Sequence, residues 1–263
     1  RSRDLSGTSW CVLMLDGIRL SKDQVAIAAI GIDSEGKKHV LDFALGSSEN
    51  LVVARELMTR IVSRGFKCEH RLFAVLDGAD ALRSAVKEHF PDSVIQRCLV
   101  HKERNIRAKL SKRHWGQLSR LFSRLRAVQG YEAAQEIVAE LRDFLKPINA
   151  EAYRSLEEAG EDLLALHRLN VPNTLHRSLL STNAIENSFL NTRRRIGRVT
   201  RFRVETDQAS RWLAYALLEA EKGFKRISGW EALPKLIAAL QREHQKTPEP
   251  NQPGPKPSPP ATA

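Results

Sequence analysis

The sequence predicts an α/β protein in which a mixed sheet is followed by a long run of helices. Short apolar runs and helical periodicities alternate from Trp10 to Val100, as in chains whose helices pack against a sheet. After Lys102 the strand-type runs stop, and only helical patterns remain as far as His167. A chain of 263 residues is long enough to bury a sizeable core around such a sheet.

The apolar runs predict five strands. The first covers Trp10–Leu15. The second and third cover Val25–Ile32 and His39–Leu45, and the polar turn Asp33–Gly36 between them predicts a hairpin. The order then continues with a helix over Leu51–Val62, a strand over Leu72–Leu76, a helix over Ala79–Phe90 and a strand over Ser93–Val100.

The chain is expected to fold in four consecutive parts. Residues 8–110 form the first part of the α/β core, and residues 111–172 form an all-helical insertion. Residues 173–246 complete the core with further helices. Residues 247–263 contain seven of the eleven prolines and are expected to be disordered, because such a tail offers no apolar face to bury.

The charge balance indicates a polyanionic partner. Lysine and arginine number 42 against 31 acidic residues, a formal net charge of +11. A membrane is not expected as a partner, because the sequence has no long uncharged apolar run. Three cysteines without a disulfide pattern fit the reducing cytoplasm, where we expect association with the nucleoid.

Three acidic residues stand out as candidate metal ligands. Asp16 and Asp77 each follow an apolar strand run, and sites in open α/β sheets form at the carboxyl ends of strands. Glu186 lies in a helix-like stretch that continues into an arginine cluster, and Arg193, seven residues on, falls on the same helical face. Carboxylates of this kind bind Mg²⁺ or Mn²⁺, so the pattern indicates metal-assisted chemistry on a nucleic acid.

Basic side chains near these acids are candidates for DNA phosphate contacts. One set follows Glu186 and another follows the last strand. The candidates are Arg193, Arg194, Arg195, Arg198, Arg201, Lys102 and Arg104.

With these elements placed, the chain resembles the mutator-type transposases of bacterial insertion sequences. The resemblance spans about Leu15 to Leu240 and depends on the order and spacing of several short motifs. These are Asp16-Gly17, Ala29–Ile32 followed by Glu35-Gly36 and Val40-Leu41, Arg64–Phe66, Asp77-Gly78, Phe90-Pro91, Gln96–His101 followed by Arg104-Asn105, and Ser181–Glu186.

The resemblance implies a ribonuclease H-like core interrupted by a helical insertion. It also implies an Asp-Asp-Glu triad at Asp16, Asp77 and Glu186, with Mg²⁺-dependent (or Mn²⁺-dependent) cleavage and transfer of DNA strands. The DNA partners would be element ends and target, bound by a homo-oligomer. Cys98 and His101 belong to the family signature, without an assigned role.

Family members usually carry a region that binds element ends before the catalytic core. About fifteen residues precede Asp16, and the chain does not begin with Met, so this region is expected to be absent. The alternative function is an inactive transposase remnant that only binds nucleic acid non-specifically.

Each candidate residue also has a structural interpretation. Asn183 could cap a helix with Glu186 at its third position, a capping-box arrangement. Asp16 and Asp77 precede glycine and could simply open turns. Asp33 and Asp42 are spare acids, the first in a turn and the second within a strand.

Cysteine and histidine also allow a zinc interpretation. Cys98 and His101 could form half of such a site, with Cys68 and His70 as the other half, although this spacing is not a standard one. The more favoured interpretation is that Cys98 is buried and that His101 orients a neighbour or contacts DNA.

Overall fold

The fold is a five-stranded mixed sheet with helices on both faces. The computed structural model describes residues 3–20, 24–48, 50–187, 189 and 207–246, with side chains through residue 243. The prediction of an α/β fold with a mixed sheet is confirmed.

The sheet contains two antiparallel and two parallel pairings. Its strands are β1 (Trp10–Arg19), β2 (Val25–Asp33), β3 (Lys38–Gly46), β4 (Phe73–Leu76) and β5 (Val94–Arg97). Their order is β3-β2-β1-β4-β5. The β1–β2 and β2–β3 pairs are antiparallel, and the β1–β4 and β4–β5 pairs are parallel.

The described helices fall into three groups. Two helices alternate with the strands, α1 (Leu51–Ser63) and α2 (Asp80–His89). The helical region then contains α3 (Leu99–Arg107), α4 (Trp115–Ala127), α5 (Tyr131–Leu145), α6 (Ala150–Glu157), α7 (Ala165–Arg168) and α8 (His176–Leu179). Residues 183–187 and 189 are helical and are labelled α9, and they are followed by α10 (Gln208–Glu221) and α11 (Leu233–Lys246).

The predicted hairpin forms at the predicted turn. Gly36 has a φ of +78°, a conformation that glycine adopts without strain. Oδ1 of Asp33 accepts hydrogen bonds from the backbone N–H groups of Glu35 and Lys37, both at 2.9 Å. The spare acid Asp33 is therefore a turn residue.

The last strand is shorter than the sequence predicts. It ends at Arg97 and not at Val100, because Leu99 already begins α3. Cys98 is the only residue between the two elements and caps the helix. The change of element brings the Cys98–His101 motif onto the first turn of a helix.

The two faces of the sheet are covered by different helices. Leu13 and Leu15 of β1 belong to an apolar cluster with α1 and α2. Val12 and Met14 belong to the other cluster, which contains the apolar residues of the helical region. Asp16 continues this second alternation, so its side chain lies on the face covered by the helical region.

Helices α4 to α7 lie within the predicted insertion at residues 111–172 and share one apolar cluster with the sheet. In the part of the chain that the structure describes, no helix combines the length and apolarity needed to cross a bilayer. The Pro-rich tail lies outside the described residues.

Candidate active site

Asp16 lies inside β1, at the point where the strand loses its parallel neighbour. The expectation that this strand ends at Leu15 is wrong, because it stays paired with β2 as far as Arg19. Asp16 itself pairs with Ala28. The parallel ladder does end at the Leu15–Leu76 pair, so Asp16 is the first residue of β1 beyond that ladder.

Asp77 directly follows Leu76, the last residue of β4, and Leu76 pairs with Leu15, the residue before Asp16. Adjacent strands in a sheet are about 4.8 Å apart, so the two acids lie close together where the parallel pairing of β1 and β4 ends. Oδ1 of Asp77 accepts a hydrogen bond from the backbone N–H of Ala79 at 2.9 Å, and the charge of Asp77 adds to the larger effect of burial in raising the pKa of Asp16. Asp77 is not among the ligand atoms that converge most closely within the described residues.

Glu186 lies near the start of α9, with its carboxylate close to Asp16 of β1. The helix begins at residue 183, so Thr182 is its cap residue and accepts the backbone N–H of Glu186 at 3.1 Å. The capping-box interpretation, with Asn183 as the cap, is wrong for this reason. The carboxylate of Glu186 is instead bound by His101 and Arg104.

Asp16, His101 and Glu186 converge in one cleft. Their ligand atoms all lie within 4.8 Å of one another. Nε2 of His101 is 3.2 Å from Oε1 of Glu186 and 3.9 Å from Oδ1 of Asp16. Arg104 binds Glu186 through both terminal nitrogens, at 2.5 and 3.2 Å. The open cleft, about 310 Å³, is also lined by Gly17, Ile18, Arg19 and Phe189.

The surroundings shift the pKa values of Asp16 and Glu186 in opposite directions. Burial raises the pKa of Asp16 to about 7, although the charge of His101 opposes this shift. The hydrogen bond from His101 lowers the pKa of Glu186 to about 2, with Arg104 adding to it against the effect of burial. Burial lowers the pKa of His101, but its hydrogen bonds with Cys98 and Glu186 outweigh this and raise it.

His101 is the site residue whose role the sequence left open. It lies three residues before Arg104 on α3, so both side chains project from the same side of that helix. The spacing of the Cys98–His101 motif was the available signal. Its meaning depended on α9, which brings Glu186 to His101 from a distant part of the chain.

The zinc interpretation is not supported by the positions of its four residues. Cys68 donates to the backbone O of Trp10 at 3.2 Å, and Nδ1 of His70 contacts the backbone O of Arg71 at 2.8 Å. Cys98 is fully buried and accepts hydrogen bonds through its Sγ. Among the residues described, the group able to hold a metal is the Asp16, His101 and Glu186 cluster.

Lys102 is buried, so the prediction that it contacts DNA is wrong. Its side chain is 0% exposed. Nζ donates to the backbone O of Ser155 at 2.6 Å and to Oε2 of Glu158 at 2.8 Å. Lys102 therefore joins α3 to α6, whereas Arg104, with 58% of its side chain exposed, is accessible at the cleft.

The remaining predicted residues have simple placements. Asp42 is buried and paired with Arg60 and Arg64, at 3.1 and 3.2 Å, so this spare acid is a structural one. The predicted DNA contacts Arg193, Arg194, Arg195, Arg198 and Arg201 lie outside the described residues.

The raised pKa of Asp16 predicts a pH-dependent effect of Asp16→Asn. The folded protein holds the Asp16 proton more tightly than the unfolded chain, whose pKa is near 3.8. This contribution to stability is complete below about pH 4 and is lost as the pH rises through about 7. Because asparagine does not ionise, the variant should gain melting temperature relative to wild type between pH 4 and pH 8, measured in EDTA.

The exposed Asp80 supplies the control for that measurement. An Asp80→Asn variant should follow the wild-type dependence on pH, since Asp80 is exposed at the start of α2. Parallel curves for wild type and Asp16→Asn would contradict a buried carboxylate with a raised pKa.

The chain is similar to transposases of bacterial insertion sequences. It is 33% identical over 168 residues to the transposase for element IS1201 of Lactobacillus helveticus, covering 64% of this chain and 44% of that protein. It is 28% identical over 185 residues to the transposase for IS905 of Lactococcus lactis, covering 68% and 46%. It is 26% identical over 247 residues to the transposase for IS6120 of Mycolicibacterium smegmatis, covering 91% and 73%.

The chain thus spans less than half the length of the first two relatives. The family profile described as "Transposase, Mutator family" matches residues 1–226, which include the sheet, the helical region and Asp16, Asp77 and Glu186. By this match, the chain belongs to the Mutator family of transposases.

Proposed function

We propose that this chain is the catalytic region of an insertion-sequence transposase that cleaves and transfers DNA strands with Mg²⁺ or Mn²⁺. The observation that carries the proposal is the convergence of Asp16 and Glu186, from the first strand and from α9, in one cleft with His101. The relatives are named as transposases, and the family match covers all three acids.

A ribonuclease H-like architecture is part of the proposal. The strand order β3-β2-β1-β4-β5, with an antiparallel β1–β2–β3 unit and parallel β4 and β5, supports it, since Asp16 lies in β1 and Asp77 directly follows the neighbouring β4. The helical region lies between the second acid and Glu186 in the chain and packs on the same face as Asp16. This arrangement supports a core interrupted by an insertion.

The donor set fits a hard divalent cation. Oδ2 of Asp16 is buried without a hydrogen-bond partner, an arrangement that costs free energy unless a ligand or water satisfies the atom. Carboxylate oxygens from Asp16 and Glu186 are the ligands that Mg²⁺ and Mn²⁺ prefer. Asp77, directly after the end of the adjacent strand β4, is the third proposed ligand.

The chain's own residues would position the DNA and balance charge. In this state the negative charge of Glu186 is balanced by His101 and Arg104. Arg104 is exposed and can exchange this carboxylate for a DNA phosphate, which its planar guanidinium binds through two nitrogens. When bound at such acids, a pair of divalent ions activates the attacking oxygen and stabilises the leaving oxygen of the phosphodiester.

DNA binding by this chain should weaken steeply as salt rises. The proposed contacts are phosphate contacts by Arg104 and by the arginines from Arg193 to Arg201, and each one releases counterions. With six such contacts, affinity should fall on the order of 10³-fold between 50 and 200 mM salt. Fluorescence anisotropy with a labelled duplex measures this slope.

Charge reversal tests where those contacts lie. Arg193→Glu with Arg194→Glu should weaken binding to all sequences alike and flatten the salt slope. Lys146→Glu with Lys112→Glu makes the same change in net charge at exposed positions of the helical region and should have a smaller effect. Equal losses from both double variants would contradict a localised arginine surface.

Strand cleavage on a supercoiled plasmid tests the function itself. Nicking is expected with Mg²⁺ or Mn²⁺ and should be absent with EDTA. The proposal would be contradicted by DNA binding without cleavage under every ion tested, which is the behaviour of the inactive remnant. The homo-oligomeric state on DNA can be measured on the same samples by analytical ultracentrifugation.

A further inference from the structure

Thr182 occupies a central position between the candidate acids. It is fully buried and forms the cap of α9, four residues before Glu186. Its hydroxyl lies 3.3 Å from Nδ1 of His101 and 3.5 Å from Sγ of Cys98. Nε2 of the same His101 ring lies 3.9 Å from Oδ1 of Asp16 and 3.2 Å from Oε1 of Glu186.

The Thr182 hydroxyl is placed to accept a hydrogen bond from His101. A threonine hydroxyl has one hydrogen to donate and two acceptor sites. If it accepts the Nδ1–H of His101, the opposite nitrogen Nε2 is directed at Asp16 and Glu186, as the distances of 3.9 and 3.2 Å show. The partner of one ring nitrogen decides how the other is presented.

Cys98 connects the same residues through the backbone. Its N–H donates to the backbone O of Leu76, the residue before Asp77, at 2.8 Å. Its Sγ accepts the backbone N–H of Thr182 at 3.4 Å. The next residue, Leu99, donates its N–H to the backbone O of Leu180 at 2.9 Å. The ends of β4 and the starts of α3 and α9 therefore meet at Cys98.

From this geometry we propose that Thr182 is a positioning residue, whose hydroxyl orients His101 and, with Cys98, fixes α9 so that Glu186 faces Asp16. The inference rests on the proposed metal-dependent function of that site. It also supplies a reason for the spacing of the Cys98–His101 motif. Cys98 caps α3 and His101 lies on its first turn, so both side chains reach the same hydroxyl.

Three variants distinguish the effect of the Thr182 hydroxyl from the effect of side-chain packing at this position. Thr182→Val removes the hydroxyl and keeps the shape, whereas Thr182→Ser keeps the hydroxyl. Ser181→Ala is the matched control, because it removes a neighbouring buried hydroxyl whose described contact is with the backbone N of Asn183 at 3.5 Å. Circular dichroism and thermal melts will establish whether each variant is folded.

The readouts are Mn²⁺ affinity by electron paramagnetic resonance, plasmid nicking, and the ring ¹⁵N signals of His101. Thr182→Val should lose about 10-fold or more in Mn²⁺ affinity and in nicking, the effect of removing a group that orients a ligand. Its His101 ring signals should shift. Thr182→Ser and Ser181→Ala should remain within a few-fold of wild type.

Two results would overturn the inference. One is a Thr182→Val protein with wild-type Mn²⁺ affinity and His101 signals, and the other is equal impairment of the valine and serine variants, which would assign the effect to packing. A wild-type chain that neither binds Mn²⁺ nor nicks DNA would instead refute the proposed function. In that case the His101 signals of the three variants still decide whether the hydroxyl orients the ring.

Discussion

Asp16→Asn and Glu186→Gln will each reduce DNA nicking on the order of 10³-fold and leave DNA binding nearly unchanged. Metal ions at such acids contribute several kcal/mol to the stabilisation of transition-state charge, and about 4 kcal/mol corresponds to that factor. The proposed DNA contacts involve basic side chains that neither substitution removes. Nicking rates and duplex affinity should be measured on the same preparations.

Asp77→Asn tests the third acid separately. It should reduce nicking as strongly as the other two substitutions if Asp77 is a ligand. Asp80→Asn is the matched control, because Asp80 is a nearby exposed carboxylate at the start of α2 and should retain activity. Retention of nicking by Asp77→Asn, with loss by Asp16→Asn, would limit the metal site to the cluster with His101.

Glu158→Ala should destabilise the fold by about 3 kcal/mol, because it leaves the buried ammonium group of Lys102 with one partner. Oε2 of Glu158 accepts from Lys102 at 2.8 Å, and Oε1 is 2.9 Å from the guanidinium of Arg97. Removing one carboxylate thus breaks two ion pairs between β5, α3 and the end of α6. Urea unfolding measures the loss.

Neighbouring substitutions make that prediction specific. Glu157→Ala breaks an exposed pair with Arg142 and should cost less than about 1 kcal/mol. Lys102→Met in the Glu158→Ala background should recover part of the stability, because the buried ammonium group is then removed, whereas Arg97 still lacks its ion-pair partner. Lys102→Met alone should leave DNA affinity unchanged. A marked loss of affinity would instead support the prediction that Lys102 contacts DNA.

The order of elements up to α3 was predictable because each has a local signal. The Asp33–Gly36 turn and the apolar runs on either side define the hairpin, and the period of α1 is evident from its buried residues Ala54, Leu57, Met58 and Ile61. The position of Asp77 at a strand end follows from the same kind of signal.

The features that the sequence did not predict depend on distant partners. The extension of β1 beyond Asp16 depends on its pairing with β2, and no local pattern marks it. The burial of Lys102 depends on Glu158, which a count of charges cannot supply. The approach of His101 to Glu186 likewise requires the helical region to bring α9 back to the sheet.

The cleft is built from segments that lie far apart in the chain, and this has a consequence for synthesis on the ribosome. Asp16 and Asp77 emerge early, whereas Thr182 and Glu186 follow roughly a hundred residues after Asp77, a delay of about 5–20 s at ordinary rates of translation. Until then, the thiol of Cys98 and the ring of His101 lack the helix against which they pack. A chain that ends before Thr182 would therefore carry the sheet without the cleft in which Asp16, His101 and Glu186 converge.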